Sequence, residues 1–113
     1  ARSRELHGPY EPDPAGPVVT SRHVPGHPLQ RAGHADLVES PEGDLFLVHL
    51  CSRPLPGTRR STLGRETAIQ RAELTADGWI RLASGGQLPE VGVDVGSAPD
   101  ASEPSPEKQR RAQ

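Results

Sequence analysis

The sequence predicts an all-β protein organised around one four-stranded antiparallel sheet. Two observations lead to this prediction. Residues 33–82 contain four segments with the periodicity of strands, and tight-turn residues join the first pair and the last pair. Four antiparallel strands in about fifty residues match the size of one propeller blade, roughly 40 to 50 residues. We therefore expect about one blade, with the rest of the chain leading into it and away from it.

The first two strands are predicted to form a hairpin. Leu45–Cys51 is an apolar run interrupted only by His49, which favours a strand covered on both faces. It follows Ala35–Glu39, and the Ser40–Gly43 link has proline at its second and glycine at its fourth position, as a type I turn does. We expect His49 to be a hydrogen-bonded core residue.

The third and fourth strands are predicted from alternation and from a second turn. Over Glu66–Leu74 successive residues would point to opposite sides of a partly covered strand, and Thr75–Gly78 then turns the chain into Trp79–Leu82. One side would carry Thr67, Ile69, Arg71 and Glu73, and the other Ala68, Gln70, Ala72 and Leu74. Trp79 is expected to cover the edge of the blade rather than to stack on a ligand.

The flanking segments carry weaker signals. Ala1–Leu6 is predicted to be the edge strand of an earlier blade, and the proline-rich Glu11–Gly26 to be an irregular crossing between blades. Ser52–Ser61 reads as a surface loop. Toward the C-terminus the composition turns to Gly, Pro, Ser, Ala and charge, so we predict a domain over 1–88 and a disordered tail over 89–113.

The composition restricts the size of the core and the class of partner. Of the 113 residues only 32% are hydrophobic and 3% aromatic, which predicts a small core. The net charge of -2, from 15 acidic and 13 basic residues, provides no field that would attract nucleic acid or an anionic membrane. We therefore expect neither as a partner.

The single cysteine and the first residue of the chain are used to predict the cellular compartment. Cys51 cannot form an internal disulfide and is expected to be a buried, inert thiol, so an oxidising compartment is not implied. No apolar run has the length of a membrane span or of a signal-peptide core. The chain begins with Ala1 rather than Met, so we expect that the true N-terminus is missing, and we predict a cytoplasmic protein.

Three stretches together resemble glycoside hydrolase family 43, the β-xylosidase and α-L-arabinofuranosidase group: "GHADLVESPEGDLFLVHL", "LGRETAIQRAEL" and "DGWIRL". The upstream "GPYEPDPAGPVVTSR" and "HPLQRAGHADL" are similar to the family as well, so the resemblance extends from about Arg4 to Leu82. It implies a five-bladed β-propeller with a funnel-shaped sugar site on its axis. This chain would hold about one four-stranded blade and the edge of another.

The resemblance also implies a reaction. Members of the family remove terminal xylose or arabinose from oligosaccharides with inversion, using an Asp base, a Glu acid and an Asp that tunes the acid. Inversion needs two carboxyl groups about 6.5 to 9.5 Å apart. In the family these residues lie in earlier blades, and none of the carboxylates in this blade matches them: Asp36, Asp44, Glu66, Glu73 or Asp77. We therefore assign no catalytic residue here and expect the chain to be inactive without the missing N-terminal blades.

Two residues match functional positions of the family. His34, in "GHAD", resembles the histidine that reaches the propeller axis beneath the sugar and binds a structural Ca²⁺ ion or water. Arg65, in "GRET", resembles the arginine that contacts sugar hydroxyls and holds the acid and its tuning carboxylate. A guanidinium offers several donors in a fixed plane, which suits neighbouring hydroxyls and carboxylates. The resemblance thus implies His34 and Arg65 as substrate-binding residues and His34 as the metal ligand.

Simpler interpretations of these residues stay open. His34 would otherwise be a structural or surface histidine, and Arg65 would form a strand-end ion pair with the adjacent Glu66. A zinc site at His23, His27 and His34 is disfavoured, because His23 and His27 lie around a Pro–Gly pair rather than on a helix. There is also no HExxH motif, and no cysteine pair accompanies them. Four arginines suggest a phosphate patch, but a solvated loop explains them better: Arg53, Arg59, Arg60 and Arg65.

Two other functions are compatible with the sequence. One is a non-catalytic carbohydrate-binding or interaction module built on a propeller blade. The other is a truncated product without function. A single blade leaves both sheet faces open, so it is expected to be marginally stable alone.

Overall fold

The computed structural model describes residues 1–96, which form a curled four-stranded antiparallel sheet flanked by coil. The strands are β1 (Gln30–Glu39), β2 (Leu45–Ser52), β3 (Glu66–Leu74) and β4 (Ile80–Leu82), and they are neighbours in chain order. The predicted all-β class and the four antiparallel strands are confirmed. Residues 1–96 contain no helix of the length and apolar character that crossing a bilayer requires.

Both predicted tight turns are present. The N–H of Gly43 donates to the Ser40 carbonyl at 2.9 Å, and the N–H of Gly78 donates to the Thr75 carbonyl at the same distance. Each glycine has a positive φ, 90° and 85° respectively, which a residue with a Cβ adopts only at a cost. The turns bring β1 to β2 and β3 to β4 in register.

Strand β1 begins five residues earlier than predicted, at Gln30 rather than Ala35. Its pairing with β2 is irregular twice, between Gln30 and Gly33 and between Gly33 and Asp36. Arg31 and His34 have left-handed φ values of 51° and 53°. Extra residues of this kind bulge a strand and re-aim its side chains. The bulged half lacks a regular alternation, so periodicity alone did not reveal it.

One face of the sheet carries the core. Strand alternation and register place Leu47 of β2, Ala72 of β3 and Leu82 of β4 on this face. Val19, from the coil before β1, packs on them and completes a buried cluster. The proline-rich segment predicted as a crossing is therefore irregular as expected, and it also supplies apolar cover for the sheet.

A second coil segment, after β4, follows the free part of β3. Gln70 is buried, and its side-chain amide donates to the Glu90 carbonyl at 3.0 Å while its carbonyl accepts from the Glu90 N–H at 2.8 Å. His49, 1% exposed, lies with Nε2 3.2 Å from the same amide nitrogen. The prediction of a hydrogen-bonded core histidine is confirmed.

Residues 87–90 are therefore attached to the sheet. Pro89 is fully buried, and the Gln87 side chain donates to the carbonyls of Ala15 and Pro17 at 2.6 and 2.7 Å. The predicted tail over 89–113 begins inside this coil, and residues 97–113 lie outside the described part of the chain.

The N-terminal prediction is wrong. Ala1–Leu6 is not a strand, since its only ladder contact is an isolated bridge between Arg2 and Glu11. The Arg2 guanidinium instead lies 3.9 Å from the centre of the Trp79 ring, an attractive cation–π contact. Trp79 is 6% exposed, and the Arg81 guanidinium also lies near its ring, 5.9 Å from the centre.

The opposite face of the sheet is open. Phe46, Val38 and Ile69 lie on it by register, and the Arg71 guanidinium covers the Phe46 ring at 5.1 Å. Val38 is 49% exposed and Ile69 36%. The coil after β4 reaches this face at Arg71, whose Nε–H donates to the Asp94 carbonyl at 2.8 Å, but it leaves Val38 and Ile69 exposed.

Truncation of the core tests the assignment of the covered face. Leu82→Ala removes a side chain that is 1% exposed and should lower the free energy of unfolding by about 2 to 5 kcal/mol. Leu74→Ala, at a position 64% exposed, is the matched control and should change it by less than about 1 kcal/mol. Urea titration followed by tryptophan fluorescence measures both. Equal losses in the two variants would contradict the assignment.

Asp13 should make stability depend on acid pH. Its carboxylate, 8% exposed, accepts from both terminal nitrogens of Arg81 at 2.5 and 3.0 Å, and this pairing lowers the pKa of Asp13. The contribution is complete above the unfolded-state pKa and is lost as the pH falls through the lowered folded-state pKa.

Asp13→Asn should therefore destabilise the protein at pH 7 and reduce the loss of stability that acid causes below about pH 4, the usual pKa of an unfolded-state aspartate. Urea midpoints measured across this range test the expectation. An unchanged slope in the variant would show that the Asp13–Arg81 pair does not link the N-terminal coil to β4.

Candidate functional site

His34 lies in the bulged half of β1 and is exposed. The preceding Gly33, with φ of 154°, pairs with Leu50 of β2. The bulge places His34 at an open hollow of about 390 Å³ that also includes Asp36, Leu50 and Thr67. Leu50 and Thr67 belong to the open face of the sheet by register, so the hollow lies at one end of that face.

Arg65 immediately precedes β3 at the same end of the sheet. β3 starts at Glu66, which pairs with Cys51 near the end of β2. The Glu66 carboxylate is bound by Arg53, whose Nε and Nη2 donate to it at 2.9 and 2.7 Å. The alternative of an Arg65–Glu66 ion pair is therefore wrong. Arg65 is exposed, and its side chain makes no hydrogen bond or ion pair within residues 1–96.

The fold brings the two predicted residues to one end of the sheet, on strands separated by β2. Two strand spacings correspond to about 10 Å between the β1 and β3 backbones. Thr67, two residues after Arg65, lines the hollow beside His34, whereas Arg65 itself does not line it. The end of the sheet thus presents an imidazole and a guanidinium from two different strands.

The metal prediction can be compared with the available ligands. Within the described range, 1–96, no three His, Cys, Asp or Glu side chains gather as a metal site would require. His27, one of the histidines weighed for zinc, uses its Nδ1 locally, 3.1 Å from the Leu29 N–H. Ca²⁺ takes six to eight oxygen ligands. Residues 1–96 therefore do not by themselves fit a calcium site, and His34 would be a single contact.

Hydrogen bonds favour the ionised form of three carboxylates in the described segment. Each has a lowered pKa: Glu66 by its hydrogen bonds from Arg53, Asp77 by the Thr75 hydroxyl, and Asp13 by Arg81. A general acid requires a raised pKa instead. These three groups are suited to structural pairing rather than to proton donation.

Sequence reasoning missed Arg31 and the bulge that contains it. The Arg31 guanidinium donates to the Ser52 hydroxyl at 2.9 Å and to the Ser61 hydroxyl at 3.4 Å, joining β1 to the loop after β2. The available signal was Gly33, because an isolated glycine beside a strand pattern indicates a bulge. Cys51 agrees with the prediction: it is buried, and burial raises the pKa of its thiol.

Comparison with known proteins gives a consistent result. Residues 1–80 match the family described as "Glycosyl hydrolases family 43". The chain is 47% identical over 100 residues to xylosidase/arabinosidase 43B of Humicola insolens, covering 88% of this chain and 18% of the relative. It is 42% identical over 90 residues to a non-reducing end α-L-arabinofuranosidase of Bacteroides ovatus, covering 80% and 17%.

A solved structure is similar as well. The crystal structure of xylan β-1,4-xylosidase from Bacillus halodurans C-125 aligns with a TM-score of 0.77 and 48% identity, covering 90% of this chain and 20% of that one. The chain thus spans about a fifth of the length of the relatives that it matches.

The Arg53–Glu66 pairing can be tested by titration. Arg53→Gln removes the donors that lower the pKa of Glu66, so that pKa should rise toward its ordinary value. Arg65→Gln is the matched control and should leave the pKa of Glu66 unchanged. NMR titration of the Glu66 side-chain carbonyl measures both variants. If the pKa of Glu66 rose in the Arg65 variant instead, Glu66 would be paired with Arg65 rather than with Arg53.

Proposed function

Because this chain belongs to glycosyl hydrolase family 43, we propose that it is part of an enzyme that hydrolyses terminal xylose or arabinose from xylo- and arabino-oligosaccharides. The names of its relatives include both xylosidases and arabinofuranosidases. Both sugars are five-carbon units, so the proposed substrate class is a pentose at a chain end.

One observation carries the proposal. The motif residues His34 and Arg65 lie at the same end of the sheet, and neither side chain makes a hydrogen bond or ion pair within residues 1–96. A non-glycine residue held at positive φ costs roughly 1 to 3 kcal/mol and tends to occur at functional sites. His34 is such a residue, with φ of 53°. The bulge is most simply explained as a device that presents the imidazole.

Each residue has a role that suits its chemistry. We assign Arg65 to the hydroxyls of the terminal sugar and to the carboxylates around the scissile bond, because a guanidinium donates several hydrogen bonds in one plane. His34 is assigned to the axis beneath the sugar, where its imidazole would bind water or contact a Ca²⁺ ion. Since the described residues, 1–96, do not complete a calcium site, any further ligands would come from other parts of the protein.

The proposed mechanism is inverting, with the acid, the base and the tuning carboxylate in parts of the protein outside this chain. The downward pKa shifts of Asp13, Glu66 and Asp77 support this, because none of these groups is suited to act as the acid. Arg65 would then hold a substrate and carboxylates that reach the site from elsewhere. This chain contributes binding and positioning, and hydrolysis requires the complete enzyme.

The open face of the sheet supports the same view. Val38 and Ile69 lie on this face and are exposed. Burial of apolar surface contributes roughly 25 cal/mol per Å². We propose that a neighbouring blade of the five-bladed propeller covers this face in the complete enzyme.

The proposal is tested in the complete polypeptide that contains this chain. Arg65→Lys should lower kcat/KM for 4-nitrophenyl β-D-xyloside and α-L-arabinofuranoside by roughly 10- to 100-fold, since a hydrogen bond to a charged group contributes about 1.5 to 3 kcal/mol. His34→Ala should lower the same quantity. Arg60→Lys, on the exposed loop before Arg65, is the matched control and should retain full activity.

Two results would overturn the proposal. Hydrolysis by the isolated 113-residue chain would show that the catalytic carboxylates lie within it. Full activity of Arg65→Lys with unchanged KM would show that Arg65 does not bind the sugar. A third result would favour the carbohydrate-binding module instead. In that case calorimetry would show tight binding of xylobiose by the isolated chain, and the complete protein would hydrolyse no substrate.

A further inference from the structure

A groove lined by three arginines lies at the same end of the sheet as His34 and Arg65. It has a volume of about 250 Å³ and includes Arg22, Arg31 and Arg59. Its other residues carry no charge: Pro25, Gln30, Pro54 and Thr58. Among the described residues, 1–96, no carboxylate lines this arginine groove. Three positive charges therefore face one small volume without a neutralising group in its wall.

Ion pairs elsewhere do not compensate these charges. The salt bridges found within residues 1–96 use Arg2, Arg53, Arg71 and Arg81. None involves a guanidinium of the arginine groove. Like charges gathered in one concavity raise the local concentration of anions and favour binding of a negative group.

Arg31 is held in place before any ligand arrives. Its Nη1 donates to the hydroxyls of Ser52 and Ser61 at 2.9 and 3.4 Å, and its Nη2 lies 3.5 Å from the Arg59 carbonyl. Its backbone φ of 51° is one that a side chain with a Cβ adopts at a cost. These contacts leave the Nε–H and one Nη2–H of Arg31 without a protein acceptor.

The two loops that carry Arg22 and Arg59 are also fixed by hydrogen bonds. In the loop after β2, the Leu55 N–H donates to the Arg60 carbonyl at 2.9 Å, and the Thr58 hydroxyl donates to the Leu55 carbonyl at 2.9 Å. In the loop before β1, the Gln30 side chain donates to the carbonyls of Val24 and His27 at 2.9 and 2.7 Å. A preorganised site of this kind loses less entropy when it binds a ligand.

The arginine groove adjoins the proposed sugar site along the chain. Arg31 precedes His34 by three residues in the bulged half of β1, and the Arg59 loop leads directly into Arg65 at the start of β3. Gln30 of the groove pairs with Ser52, the last residue of β2. A ligand reaching from the sugar site along this end of the sheet would meet the three guanidinium groups.

We propose that the arginine groove binds the carboxylate of an acidic oligosaccharide, namely a xylo-oligosaccharide that carries a uronic acid substituent. A planar guanidinium matches a carboxylate through two parallel hydrogen bonds. A neutral pentose chain would offer these three exposed cations no acceptor of matching charge. The inference rests on the proposed function, and it specifies which substrates the enzyme prefers.

The test compares acidic and neutral substrates with the complete polypeptide. The ratio of kcat/KM for a uronate-substituted to an unsubstituted xylo-oligosaccharide of equal length should exceed one. Arg22→Gln and Arg59→Gln should each lower the ratio by about threefold, because an exposed ion pair contributes up to about 1 kcal/mol. Arg31→Gln should lower it as well, and an unchanged kcat/KM on the neutral substrate shows that the fold is intact.

Arg60→Gln is the matched control, since it removes the same charge from the neighbouring position outside the groove, and it should leave the ratio unchanged. Raising the salt from about 20 mM to about 0.5 M should also reduce the ratio for the parent enzyme. If Arg60→Gln lowered the ratio as much as the groove variants do, net charge alone would explain the preference. That result would overturn the proposal that the arginine groove binds the carboxylate.

Other outcomes separate this inference from the proposed function. Hydrolysis of the neutral substrate without any preference for the acidic one would overturn the arginine groove and leave the proposed function standing. No hydrolysis of either substrate by the complete polypeptide would overturn both. Competitive inhibition by inorganic phosphate as strong as that by free glucuronate would replace the acidic sugar by a phosphate ligand.

Discussion

Burial of one sheet face by chain without regular structure is the constraint on which the rest of this fold depends. Leu47, Ala72 and Leu82 cannot bury one another from neighbouring strands, because their side chains stand side by side on the same surface. The cover comes from Val19, in a segment whose prolines exclude it from the sheet. Asp13 and Arg81 hold that segment in place through a paired set of hydrogen bonds.

The polar interactions follow from the same constraint. A buried glutamine or histidine is tolerated only when its donors and acceptors are satisfied. Gln70 meets this condition by pairing with the backbone of Glu90, as a neighbouring strand would, and His49 accepts from the same amide. Strand β4 is short and pairs only with the end of β3, so part of the β3 edge has no partner strand. The coil after β4 supplies hydrogen bonds to this part of the edge.

The regular half of the sheet was predictable from sequence, and the irregular half was not. Leu45–Cys51 and Glu66–Leu74 carry apolar runs or alternation over enough residues to identify strands, and glycine marks both turns. Residues 30–34 carry neither pattern, because a bulge interrupts the alternation that identifies a strand. Arg53 lies thirteen residues from Glu66, so its competition with Arg65 for that carboxylate depends on the β2–β3 register, which local sequence does not contain.

The candidate site depends on the features that sequence periodicity could not reveal. His34 was found by its motif, but its exposure at the open face results from the bulge in β1. Arg65 was found in the same way, and it is available to a ligand because Arg53 already neutralises Glu66. A guanidinium engaged by its own neighbour would have to break that pair before binding a sugar hydroxyl. The Arg53–Glu66 pair, although it touches no proposed ligand, is therefore what leaves Arg65 free for one.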